Sequence, residues 1–198
     1  RSCNEIAKEL KMSNSTVEYI VDELAAIGIL EKDETSFKKS VGRCPIYYRL
    51  NKNFGIVVAV DLVNSRFAVC DVCNNILYEE AFTSGGSFLT GHGYKREDID
   101  SVIKLIKETL LRPQIEKMPL RSVVIATFGK VEIETGKFTF VSSIDPNINL
   151  KKIFADEFKV ATEVYNDIDL SAIAESEFGK LRNETDNALY LCINEGCA

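Results

Sequence analysis

The sequence predicts an α/β protein in two parts: a small helix-and-hairpin unit over residues 1–52 and a larger α/β body over residues 53–198. Three observations predict it. Residues 2–27 hold two helical periodicities split by a two-residue break. Residues 56–82 hold three short apolar runs divided by Asn-containing turns. From residue 96 onward, helical and strand patterns alternate, which is how an α/β body is written.

The first helix opens at Ser2, which can cap it, with Glu5 completing a capping box and Ile6 and Leu10 forming an i, i+4 apolar pair. Lys11-Met12 is the break. Ser13 caps the second helix, whose Val17, Ile20, Val21, Leu24 and Ile27 recur at helical spacing until Gly28. A strand starts near Gly28–Lys32 and Tyr47–Leu50 reads as its partner. Two helices joined by a tight turn, followed by a hairpin, form a winged helix-turn-helix pattern. In that arrangement Asn14, Ser15, Thr16 and Tyr19 meet base edges, and Lys11, Lys38, Lys39 and Arg43 contact phosphates. The plainer alternative makes the first three a simple helix start and the lysines a solvated hairpin.

The seam Gly42–Leu62 leaves almost no linker between the parts, so movement of the body could reorient the reader. Gly55–Asp61 is an apolar run that delivers a carboxylate to its C-terminal end, within an expected strand Ile56–Leu62. Arg66–Asp71 and Ile76–Phe82 follow, with Asn64-Ser65 and Asn74-Asn75 at the turns. Gly85-Gly86 and Gly91-His92-Gly93 mark a loop. Arg96–Leu111 is a helix with Ile99, Val102, Ile103, Ile106 and Leu110 on one face. Strands are expected at Arg121–Thr127, Lys137–Val141, Thr162–Tyr165 and Ala188–Ile193, and helices at Asn149–Phe158 and Ser171–Leu181. The opening inside a helical pattern and the stop after a strand imply a longer natural chain, lacking here its first helix and all or part of a second lobe.

The net charge of −6 is unevenly spread: residues 1–50 hold eight basic and eight acidic side chains, and residues 51–198 carry the whole deficit. A neutral reader on an acidic body can bind DNA if its basic groups share a face. No apolar run reaches the roughly 18 residues of a spanning helix, and a cytoplasmic, non-membrane location is the default expectation. The six cysteines are scattered, and Cys70–Cys73 has CxxC spacing without a second pair. With a single histidine, His92, a tetrahedral zinc site would lack ligands. Reduced thiols are expected, and neither metal nor cofactor.

Taken together, Ser13–Glu31, Gly42–Asp61, Gly129–Gly136, Val164–Gly179 and Ala188–Ala198 resemble the ROK family (repressors, open reading frames and sugar kinases), in particular its winged-helix repressors. The most specific stretches are Gly42-Arg43-Cys44-Pro45 with Arg49-Leu50-Asn51, and Tyr165-Asn166-Asp167-Ile168 with Ala174-Glu175 and Phe178-Gly179. The resemblance implies an actin-like (hexokinase-type, ribonuclease H-like) body, a sugar or sugar-derivative effector, operator DNA as partner and a homodimer or homotetramer. It also implies that Asn166 binds a sugar hydroxyl and that Asp167 would be the general base in a kinase of the family. Capping of a helix by the same pair is the competing reading. Family kinases end their first strand in an Asp-x-Gly-Gly-Thr turn that wraps phosphates. Here Asp61-Leu62-Val63-Asn64-Ser65 keeps the aspartate and loses both glycines. The second glycine turn, Asn194–Ala198, keeps one glycine and adds Glu195. The expected function is therefore a sugar-responsive repressor of carbohydrate genes without catalytic residues. The alternative is a sugar kinase with an accessory module, using Asp167 as base and Asp61 near a metal.

Overall fold

Local signals place most elements where the sequence puts them. The structure, a computed structural model, describes residues 1–33, 45–83, 94–140, 148–180, 182 and 190. The chain divides into two units: residues 1–55 with 71–75, and residues 56–70 with 76–198.

In the first unit, α1 (Cys3–Leu10) starts at the expected capping box, with Ser2 accepting from the Glu5 N–H and Glu5 accepting from the Ser2 N–H. Lys11 takes the left-handed conformation (φ 53°) and ends it. α2 (Asn14–Ala26) is capped by Ser13, whose Oγ accepts from the Thr16 N–H at 3.2 Å. β1 (Leu30–Lys32) pairs antiparallel with β2 (Tyr48–Leu50), and Ser2 makes an isolated bridge to Tyr47. Ala7, Val17 and Val21 form the small core, with Cys3, Ile6, Leu30 and Tyr48 packed on it. Two residues of the expected apolar face of α2 lie outside: Ile20 is 39% and Ile27 64% exposed. A core built by two short helices and a hairpin closes over one narrow stripe, so only Val17 and Val21 fit under it. Asn51 ends β2: its Nδ2 donates to the Gly28 carbonyl and its Oδ1 accepts from the Asn53 N–H, starting a 3-10 turn at Lys52–Phe54.

In the second unit, β3 (Ile56–Asp61), β4 (Arg66–Asp71) and β5 (Ile76–Ala81) form one side of a five-stranded sheet ordered β5-β4-β3-β6-β9. β6 (Leu120–Thr127) runs parallel to β3, which requires a crossover, supplied through α3 (Arg96–Leu110). β9 (Ala161–Asn166) runs parallel to β6, reached through the hairpin β7 (Lys130–Glu132) and β8 (Lys137–Phe140) and then α4 (Leu150–Phe158). Burial alternates along β3 and β6, and Val58, Val60, Val123 and Ile125 meet Ile99, Val102 and Ile106 of α3 and Phe154 of α4 in one core. α5 is Asp167–Phe178, four residues earlier than the expected start at Ser171, because Asn166 caps it directly at the end of β9. The turn Asp71–Asn75, which belongs to the first unit, closes on Asp71, whose carboxylate accepts from the Cys73 N–H at 2.8 Å, the Asn75 N–H at 3.0 Å and Asn75 Nδ2 at 2.8 Å.

The hairpin β7–β8 is held from α4. Asn149 caps α4 with Oδ1 and donates Nδ2 to the Thr135 carbonyl at 3.1 Å. Lys151 Nζ donates to the Ile133 carbonyl at 3.0 Å and pairs with Glu163 at 2.9 Å. Gly136 lies beneath it with φ 67°.

Candidate functional site

Two places carry chemistry, one in each unit. In the first unit, Lys11, Asn14, Ser15 and Thr16 are exposed around the first turn of α2, and Tyr19 is 64% exposed one turn on. Helical spacing puts Ser15, Tyr19 and Glu23 in one outward row. The Tyr19 hydroxyl donates to Glu23 Oε1 at 2.6 Å, and that carboxylate holds the phenol pKa above its ordinary value. α2 holds three acids (Glu18, Asp22 and Glu23) and no Lys or Arg. The acids were plain in the string but were missed, because the helix was read for its polar first turn. Glu18 and Asp22 instead line a groove of about 540 Å³ with Cys3, Ile46 and Tyr48, so Glu23 is the acid on the outward row. Lys38, Lys39 and Arg43 lie outside the described residues, as do Gly42–Cys44, the Gly85–Gly93 loop, the expected Ala188–Ile193 strand apart from Tyr190, and the Asn194–Ala198 turn.

In the second unit, β3, β6 and β9 are parallel, so Asp61, Thr127 and Asn166 stand at one edge of the sheet. The carboxyl ends of parallel strands are where α/β proteins place ligands. Asp61 is closed on its own turn. Its Oδ1 accepts from the Asn64 N–H at 2.9 Å, and its Oδ2 from Asn64 Nδ2 at 2.8 Å and Arg66 Nε at 3.3 Å. Asn64 thus donates to the Asp61 carboxylate through both its backbone and its side-chain amide. The Leu62 side chain is buried, and its carbonyl accepts from the Tyr94 hydroxyl.

Asn166 and Asp167 are both half-buried. Asn166 Oδ1 accepts from the N–H groups of Ile168 (2.8 Å) and Asp169 (3.2 Å), and its Nδ2 donates to the Gly129 carbonyl at 3.0 Å. Capping is therefore present. Asp167 is the first residue of α5. Burial pushes its carboxyl pKa up; the nearby charges of Asp61 and Asp169 push the same way, against the N–H groups of Asp167 and Ile168. A half-buried acid with a raised pKa at such an edge is suited to a polar, hydroxyl-bearing ligand.

Cys3, Cys70 and Cys73 are free thiols; burial, first among several causes, raises those of Cys3 and Cys73, away from reactive thiolates. Among the described residues, no group of three or more His, Cys, Asp or Glu converges, and no helix is long and apolar enough to cross a membrane.

A mixed five-stranded sheet with helices at its crossovers defines an α/β body. The chain belongs to the ROK family, whose profile matches residues 64–198. The xylose repressor of Caldicellulosiruptor bescii is 24% identical over 202 residues, covering 98% of this chain and 48% of that protein. The xylose repressor of Staphylococcus xylosus is 24% identical over 204 residues, covering 98% and 49%. The chain spans about half the length of these relatives. Among solved structures, a ROK family transcriptional regulator described as a homologue of the E. coli MLC protein has the same fold, with a TM-score of 0.69 at 18% identity over 90% of this chain and 44% of that one.

Proposed function

We propose that the chain belongs to a sugar-responsive DNA-binding repressor of carbohydrate genes. Residues 1–52 form its winged helix-turn-helix reader, and residues 53–198 belong to the sugar-sensing body. One observation carries the choice of sensor over enzyme. The Asp61 carboxylate is engaged by Asn64 and Arg66 side chains at the turn where a kinase would cradle nucleotide phosphates, while the half-buried Asp167 carboxylate meets, among the described residues, only N–H groups of its own helix start. A sensor needs only the second of these. In this reading Asn14, Ser15, Thr16 and Tyr19 read bases, Lys11, Lys38, Lys39 and Arg43 hold phosphates, and Asn166 with Asp167 meets sugar hydroxyls. The names of the two relatives make D-xylose the first effector to try.

The experiment is fluorescence anisotropy of the full-length protein on its own promoter DNA and on random DNA, with and without D-xylose and D-glucose. Tighter binding to the promoter, changed by one of the sugars, is expected. Equal affinity for both DNAs would overturn the reading. The competing reading, a sugar kinase, keeps Asp167 as base; ATP turnover with a sugar panel that disappears in Asp167→Asn would establish it instead.

A further inference from the structure

The carboxyl edge of the sheet holds a buried polar atom that nothing yet uses. Thr127, the last residue of β6, has 0% exposure, and its Oγ1 has no hydrogen-bond partner. It is the one such side-chain atom among the described residues. The neighbouring polar groups are satisfied: Asn166 makes three hydrogen bonds, and Tyr94 donates to the Leu62 carbonyl. Thr127 pairs with Asn166 in the parallel register of β6 and β9, so the two side chains stand on one face of the sheet at its ligand-facing edge. A valine has the same shape, suits a strand equally well, and would avoid burying an unpaired hydroxyl.

The Phe128–Gly129 turn follows Thr127 directly in the chain. Gly129 adopts φ 86°, and its carbonyl accepts from Asn166 Nδ2 at 3.0 Å. That amide is also the group a sugar hydroxyl would compete for. We propose that Thr127 is a ligand-selecting residue of this edge. When a polyhydroxylated sugar draws the Asn166 amide from Gly129, the turn gives way and the Thr127 hydroxyl gains its partner from a sugar hydroxyl. A hydroxyl both donates and accepts, so it matches a sugar OH in either direction. The inference rests on the sugar-sensing reading above and adds a residue to it.

The test uses the full-length protein with D-xylose and D-glucose as probes, read by calorimetric titration and thermal melting. Thr127→Val raises the melting temperature of the sugar-free protein by about 2 °C, since a buried unpaired group is removed. The same change weakens sugar binding about tenfold, the effect of one lost hydrogen bond. Thr127→Ser restores the hydroxyl and binds within about twofold of wild type. Opposite signs on stability and affinity, with rescue by serine, separate this role from a packing role. Equal sugar affinity in wild type and Thr127→Val overturns the inference and leaves the sugar-sensing reading standing. Wild type that binds neither probe overturns both. If Thr127→Val does not fold, Thr127→Ala against Thr127→Ser decides: weaker binding by the alanine variant supports the role, and equal binding overturns it.

Discussion

At the scale of single residues, Asp71 and Asp167 are opposite cases of a carboxylate in a turn. For Asp71, burial alone would raise the pKa, but the Asn75 amide, the N–H groups of Asn75 and Cys73 and the charge of Lys52 outweigh it and hold it low. A depressed acid stabilises the fold above its unfolded pKa, and that stability is lost as pH falls through the folded value. Asp71→Ala removes the acceptor of three hydrogen bonds and is expected to cost about 2 kcal/mol in urea unfolding at pH 7. The loss relative to wild type should shrink in acid. Asp167 has the reverse sign. Its pKa is raised, so the native state takes up a proton before the unfolded state does, and wild type gains stability as pH falls through that folded value. Asp167→Asn should therefore be more stable than wild type at pH 7, with the gain vanishing near pH 4. Denaturant midpoints at the two pH values check it.

Elements show which signals a sequence carries. The Ser2–Glu5 box, the Ser13 cap and the Asn149 cap were legible because each partner lies within three residues. The buried face of α3 was legible for the same reason, its period being local. The start of α5 was not, because nothing in Asp167–Phe178 alternates strongly; none of its residues is fully buried, and Ile173 and Phe178 are 51% and 74% exposed. Nor did spacing show that Ile20 and Ile27 stay outside, since it gives a face and not what covers it. The clamp of α4 on the β7–β8 turn depends on residues more than ten positions apart and was equally hidden. It yields a sharp expectation. A Cβ on Gly136 would lie 2.4 Å from Lys151 Cβ, at a φ of 67° that side chains rarely adopt. Gly136→Ala should cost about 2 kcal/mol or more and speed amide exchange across Lys130–Phe140.

For the whole molecule, the order of elements and the α/β class could be read from the string, but the register that sets Thr127 beside Asn166 could not. That neighbourhood is made by the single parallel crossover from β6 to β9, and no local signal encodes it. The charge distribution makes a further demand. With α2 acidic and the net charge at −6, the repressor reading requires DNA affinity to come from a few well-placed cations. On the repressor reading, Lys11→Ala should weaken binding to specific and random DNA alike and reduce the slope of log K against log salt by about 1. A titration between 50 and 200 mM salt, roughly the range over which such slopes are resolved, measures it.

The knot at Asp61 has a last consequence. Arg66 also reaches Glu79 on β5, at 3.7 Å, so it serves two acids and stays in place if one bond is cut. The carboxylate thus carries a built-in counter-ion, and chelators or added magnesium should leave the turn indifferent. Placing glycines at Val63 and Asn64 would strip apolar packing from the first and a hydrogen bond from the second, yet leave the guanidinium seated on Asp61 and Glu79.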